Sequence, residues 1–337
     1  MPGAESRILC TMPEGTYRRM FTPELEAELE ALGRVVHCRN ADELTEHAYT
    51  ELWRKADAAV TGWGTRHATP AMLEAAQDLR IICHTAGTVR GVPRQALERG
   101  VVVTSARSAI ARTVAEFCLM HSILLLRRMP AYIDRDPARR AALGDAARPA
   151  SRTLWEKTVG LVGYGHVARE FRALLASFDC RILVHDPYLS PEAAADARVS
   201  PVALDELMAR ADVVSLHLPD IPETRNLIGR AQLRALRDGA ILINSARGRV
   251  VDTDALTDEL RTGRLLAAID VTHPEPLPED HPLRHLPNVI WTPHVAGPTD
   301  DDLPHLTRTA LADLRRFLSG EEPLHAVSLA AYDLMSF

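Results

Sequence analysis

The chain has 337 residues, of which 46% are hydrophobic and 25% charged, enough for two cores of ordinary size. Its net charge of -6 argues against a nucleic-acid binder, which needs a basic face. Five cysteines (Cys10, Cys38, Cys83, Cys118, Cys180) lie scattered without metal-ligand spacing, which suits a reducing cytosol and implies no metal site.

Short Val/Ile-rich runs alternate with helical stretches from the start. Strands are expected at 7–12, 35–38, 58–62, 80–85 and 101–105. Helices are expected at 22–33, 42–55, 70–77 and 94–98, with Thr22 as an N-cap and Gly33 just past the end of its helix. Such alternation indicates a parallel sheet covered by helices on both faces. An apolar helix follows at 109–128. Its apolar stretch at 115–126 includes Glu116 and His121 and is too short to span a bilayer. Residues 127–152 hold seven arginines and three prolines with little apolar periodicity, and read as a solvated connector, partly helical at most. The opening residues lack the charged-then-apolar plan of a leader peptide, so a soluble cytoplasmic protein is expected.

From Thr158 the alternation restarts, with strands expected near 158–163, 181–185, 213–218, 240–245, 266–270 and 289–292. The fold class expected is α/β, with two doubly wound parallel-sheet domains. One is flavodoxin-like and spans 1–105 with 297–337, returned to by a helix at 300–318. The other, 106–296, is a Rossmann dinucleotide-binding domain.

The turn VGLVGYGHVARE (159–170) carries the chemistry of a phosphate cradle. Gly163 permits a tight turn, Gly165 lets amides approach a pyrophosphate, and the helix that follows favours negative charge. Ala168 stands where a third glycine is usual. Asp186, ending the next strand, is at the distance where a carboxylate accepts ribose hydroxyls and repels a 2′-phosphate, which favours NAD over NADP. His166 opens the helix beside the cradle, and protonation there is expected to tighten cofactor binding.

Three further residues sit at or after strand ends: Arg247 in INSARGRVVD, Glu275 in DVTHPEPLP and His294 in VIWTPHVAG. Reducing a 2-oxo acid requires a proton donor at the carbonyl oxygen, which His294 supplies if Glu275 favours its charged form. Arg247 offers a planar charged fork for the substrate carboxylate. Asp252 and Asp254 are candidates to cap the next helix.

Together with HDPY, VVSLHLPDIPETRNLIG and GRLLAAIDV, these segments in this order resemble the D-isomer-specific 2-hydroxyacid dehydrogenase family across both domains. The resemblance implies NAD as cofactor, with Gly163, Gly165, His166, Val167, Asp186, His217, Pro219, Thr224, Ala246, Asp270 and Gly297 around it and Asp270 by the nicotinamide. It also implies Arg247, Glu275 and His294 as the catalytic set, a small 2-oxo or 2-hydroxy acid as substrate, and a homodimer.

The substrate loop departs from the family pattern. Where relatives commonly read GxGxDNxD, this chain has HTAGTVRGVP (84–93), with Val89-Arg90 in place of Asp-Asn, and Ile110 stands at a position several relatives keep polar. The amides around Ala86, Gly87 and Thr88 can still take a carboxylate. Arg90 meets either a second anionic group or a surface acid. An NADH-sensing corepressor-like protein and a dehydrogenase of phosphite are the rival readings, since such relatives keep the same three residues.

Overall fold

The computed structural model describes residues 6–133 and 137–336. The opening five residues, part of the stretch read as lacking a leader pattern, and 134–136 in the arginine-rich segment lie outside the described residues. The chain divides into two compact units, Met1–Ile110 with Pro298–Phe337, and Ala111–Gly297.

The first unit has five parallel strands: β1 (Arg7–Thr11), β2 (Arg34–Cys38), β3 (Ala58–Thr61), β4 (Ile81–His84) and β5 (Val102–Ser105). They pair in the order β2-β1-β3-β4-β5, the flavodoxin-like order that reverses between β1 and β3. Side chains alternate between two apolar layers. Leu9, Ala59, Ile82 and Val103 face Tyr49, Trp53 and Met72, while Ile8, Val60, Ile81 and Cys83 face Met20, Leu29, Leu306 and Leu314. Thr22 caps its helix by accepting from the Leu25 amide, as expected. Gly33 has a different role: the helix ends at Glu30, and a Cβ on Gly33 would lie 2.3 Å from the Ser6 carbonyl oxygen. The helix Glu14–Met20, directly after β1, has no counterpart in the sequence reading.

The second unit is a seven-stranded parallel sheet of β6 (Thr158–Val162), β7 (Arg181–His185), β8 (Ser200–Pro201), β9 (Val213–Leu216), β10 (Ile241–Asn244), β11 (Leu266–Ile269) and β12 (Val289–Trp291). Its order is β12-β11-β10-β9-β6-β7-β8, the dinucleotide-fold order, with reversal between β6 and β9. Gly160 within β6 admits the helix Leu204–Arg210, since a Cβ there would lie 2.4 Å from Leu207.

The helix Arg107–Leu126 has 20 residues and by length and hydropathy alone could cross a bilayer, which corrects the expectation that it is too short. Its buried residues include Ala111, Val114, Cys118, His121 and Leu125. The arginine-rich stretch is also more ordered than expected: helices span Met129–Tyr132 and Pro137–Ala150. Ala and Arg are strong helix formers, so propensity wins there without an apolar stripe.

Candidate active site

The cofactor cradle is built at the reversal point of the second unit's sheet. Gly163 leaves β6 with φ of +88°, and a Cβ there would lie 2.8 Å from the His217 carbonyl oxygen, so both conformation and space demand glycine. Gly165 is the N-cap of the helix His166–Leu174, has no side-chain cap, and has nothing within 4 Å of a notional Cβ. That leaves first-turn amides accessible to an anion, with the helix dipole behind them. Ala168 is fully buried under the helix, and Val167 half-buried beside it.

Asp186 follows β7 and reaches the same turn. Its carboxylate accepts from the Tyr164 amide at 2.6 Å and from the Tyr188 amide at 2.8 Å. A glycine cradle that a methyl group would fill, an uncapped helix start and a carboxylate at the adjoining strand end fit a dinucleotide.

Other cofactor candidates are committed to shaping loops. The Thr224 hydroxyl donates to the carbonyls of Pro219 and Ile221 at 2.5 and 3.0 Å. The Ala246 amide donates to Asn244 Oδ1 at 3.1 Å. His217 has a buried Nε2 without a hydrogen-bond partner among the described residues, and burial pushes the imidazole down to about 3. Gly297, at the boundary of the unit, has open space around its Cα.

Arg247, Glu275 and His294 belong to one unit and to neighbouring loops after β10, β11 and β12. His294 Nδ1 and Glu275 Oε1 are 2.5 Å apart. His294 has φ of +56°, a conformation a non-glycine residue holds only when its surroundings impose it. Burial draws the Arg247 guanidinium below its ordinary value, while the charges of Glu275 and Asp220 oppose that shift. The loops approach because residue 248 is glycine: a Cβ would lie 2.1 Å from the Thr272 carbonyl. Asn244, almost fully buried at the end of β10, donates to the Arg247 carbonyl at 3.0 Å and holds the loop from beneath.

Sequence reasoning missed Asn244 and Gly248 as supports; a polar residue ending an apolar strand, and a glycine after the arginine, were the signals available. The resemblance sets Asp270 by the nicotinamide, and the structure shows what holds its carboxylate. Asp270 is 2% exposed, and its carboxylate accepts from Thr292 Oγ1 and the amides of Val295 and Ala296 at 2.6, 2.8 and 3.0 Å. Its bonds are to the histidine loop. Asp252 caps the helix Thr253–Arg261 by accepting from the Ala255 amide.

In the first unit, Ala86 and Gly87 offer carbonyls to Ser105, and the Gly87 and Thr88 amides donate to no acceptor among the described residues. Arg90 lies beside the C-terminal segment, where its charge helps hold the exposed Asp333 carboxyl below its ordinary value, after the larger effect of Arg94. It donates to the carbonyls of Met335 and Asp333 at 3.1 and 3.0 Å and lies over the Tyr332 ring.

Residues 119–296 match the family model described as D-isomer specific 2-hydroxyacid dehydrogenase, NAD binding domain. The chain is 31% identical over 310 residues to D-3-phosphoglycerate dehydrogenase of Methanocaldococcus jannaschii, covering 91% of this chain and 58% of that one. It thus spans a little under three fifths of that relative. Glyoxylate reductase of Thermofilum pendens is 34% identical over 259 residues, covering 75% of this chain and 76% of the relative. Among solved structures, a phosphoglycerate oxidoreductase from Rhizobium etli superposes with a TM-score of 0.77 at 25% identity, over 95% of this chain and 97% of that one. The chain belongs to the D-isomer specific 2-hydroxyacid dehydrogenase family, and its second unit is that family's NAD-binding domain.

Proposed function

We propose that the chain is an NAD-dependent dehydrogenase interconverting a 2-oxo acid and its D-2-hydroxy acid, with His294 as the acid/base. The observation that carries this reading is the 2.5 Å contact of His294 Nδ1 with Glu275 Oε1 in a loop next to Arg247. A carboxylate on Nδ1 fixes the ring's orientation and leaves Nε2 to meet the substrate.

The chemistry that NAD(H) supplies when bound is hydride transfer at the carbon bearing oxygen. Gly163, Gly165, His166 and Val167 would hold its pyrophosphate and Asp186 its ribose; His217, Pro219, Thr224, Ala246, Asp270 and Gly297 would border it. In reduction, His294 Nε2 gives its proton to the carbonyl oxygen, and Glu275 stabilises the charged ring before transfer. In oxidation the neutral ring takes the hydroxyl proton. Arg247 binds the substrate carboxylate as a charged fork and draws electron density from the carbonyl. The amides of Ala86, Gly87 and Thr88 are further carboxylate donors. Arg90, tied to the C-terminal segment, supports that loop.

The reading extends to a cytoplasmic homodimer. The five cysteines are free, and Met120, Ile123, Tyr132 and Ile133 are exposed apolar side chains within residues 120–133 that a second copy could cover. Mass measurement in solution tests the dimer. Steady oxidation of NADH with a panel of 2-oxo acids tests the activity; cofactor binding without turnover of any of them favours the sensor reading, and turnover of phosphite the other rival.

A further inference from the structure

The carboxylate that meets His294 stands on a segment with few tethers of its own. Val271 and Leu277 bury its two ends, at 1% and 2% exposure. Between them, residues 272–276 make no backbone-to-backbone hydrogen bond among the described residues. Pro274 and Pro276 carry no N–H, so the segment lacks two of the donors a backbone ladder would use.

Two threonine hydroxyls take the place of that ladder. Thr272 Oγ1 donates to the Pro274 carbonyl at 2.8 Å, and Thr253 Oγ1 to the His273 carbonyl at 3.1 Å. The latched carbonyls belong to the two residues directly before Glu275. Thr272 is 8% exposed, so little water competes for its hydroxyl. Its amide lies 3.5 Å from Glu275 Oε2, while Oε1 meets His294 Nδ1. Thr272 closes the segment into a turn, and Thr253, which opens the helix Thr253–Arg261, ties that turn to the chain just beyond Arg247. The contact at Gly248 lies on the same turn, since the Thr272 carbonyl is what a Cβ there would strike. All of these residues belong to the second unit.

The acid pair needs such support. The His294 and Glu275 side chains are 50% and 42% exposed, and a pair open to water holds one geometry only where the backbone beneath presents it.

We propose that Thr272 and Thr253 are positioning residues for the reaction: their hydroxyls latch the carbonyls of Pro274 and His273 and so aim the Glu275 carboxylate at His294. The proposal rests on the dehydrogenase reading above and extends its acid/base pair by two residues that touch neither substrate nor cofactor.

The test is a double-mutant cycle on kcat, with NADH and the 2-oxo acid that the unaltered chain turns over best. Thr272→Val keeps the shape and removes the hydroxyl. It should lower kcat about tenfold in the unaltered chain but less than about twofold in a Glu275→Gln background, where the carboxylate it aims is already gone. KM for the 2-oxo acid and the Kd for NADH should stay within about threefold, and Thr272→Ser should bring kcat back to within about threefold of the unaltered chain. Thr253→Val, at a half-buried helix start, should act in the same direction by about threefold. It carries the cycle if circular dichroism shows that Thr272→Val does not fold. Equal losses in both backgrounds, a loss that serine does not restore, a change confined to KM or NADH affinity, or full kcat in the valine variants overturns the proposal and leaves the dehydrogenase reading intact. Full activity of Glu275→Gln alone, or no turnover of any 2-oxo acid, overturns that reading and the proposal with it.

Discussion

Asp270 holds the backbone on both sides of His294. Its carbonyl accepts from the His294 amide at 2.8 Å, and its buried carboxylate takes the Val295 and Ala296 amides together with the Thr292 hydroxyl. A left-handed histidine needs such an anchor, because the conformation is unfavourable without imposed contacts. Asp270→Asn keeps the shape but exchanges an acceptor for a donor facing hydrogen-bond donors. We expect a loss of about 1–3 kcal/mol in urea unfolding and about 10- to 100-fold in kcat. Because the Asp270 carboxylate acts on the histidine loop, the dissociation constant for NADH should stay within about threefold; loss confined to NADH affinity would show that its place beside the cofactor matters more.

Two glycines bear on the site through space rather than flexibility alone. Gly248→Ala drives a methyl group into the Thr272 carbonyl, so the loops carrying Arg247 and Glu275 must separate. We expect destabilisation of about 1–3 kcal/mol and loss of most turnover, read by denaturant titration and NADH oxidation. Gly163→Ala meets the His217 carbonyl and a positive φ together, and should weaken NADH binding along with stability.

Asp186 sets the choice of cofactor in the proposed scheme. Its carboxylate already orients the Tyr164 amide in the cradle, so removing it acts on both the ribose contact and the turn. Asp186→Ala should lower the ratio of kcat/KM for NADH over NADPH by about tenfold or more. A ratio unchanged by the substitution would show that discrimination lies elsewhere.

Acid should destabilise the fold through two histidines. His84 is held down to about 4 and His217 to about 3, against an ordinary 6.5. The unfolded chain therefore binds protons that the folded one refuses, and stability falls as pH drops from 6.5 toward those values. His84→Gln should remove about 1–3 kcal/mol of the loss between pH 6.5 and 4, followed as melting temperature against pH. An identical acid profile would show that the imidazole is solvated.

Strand positions and the three reactive side chains were legible because both follow simple rules. Buried parallel strands read as apolar runs, and ligand chemistry collects at their carboxyl ends. Arg247, Glu275 and His294 satisfy that placement at three strand ends. What the sequence hides is which acceptor each polar group finds. Asp270 resembles any strand-end carboxylate until its three donors are seen, and Arg90 resembles a free cation until the C-terminal segment is in view. The helix Glu14–Met20 escaped detection because its Pro13 N-cap supplies no side-chain signal. The extent of the helix Pro137–Ala150 is hidden because its residues carry helix propensity without an apolar stripe.

The most direct measurement is reduction of the preferred 2-oxo acid with NADH by His294→Ala beside Glu275→Gln and the unaltered chain. Loss of the proton donor should lower kcat about 10²- to 10⁴-fold, and Glu275→Gln should fall between the two, with NADH affinity in both variants within about threefold. Undiminished turnover by His294→Ala would contradict the assignment of the acid.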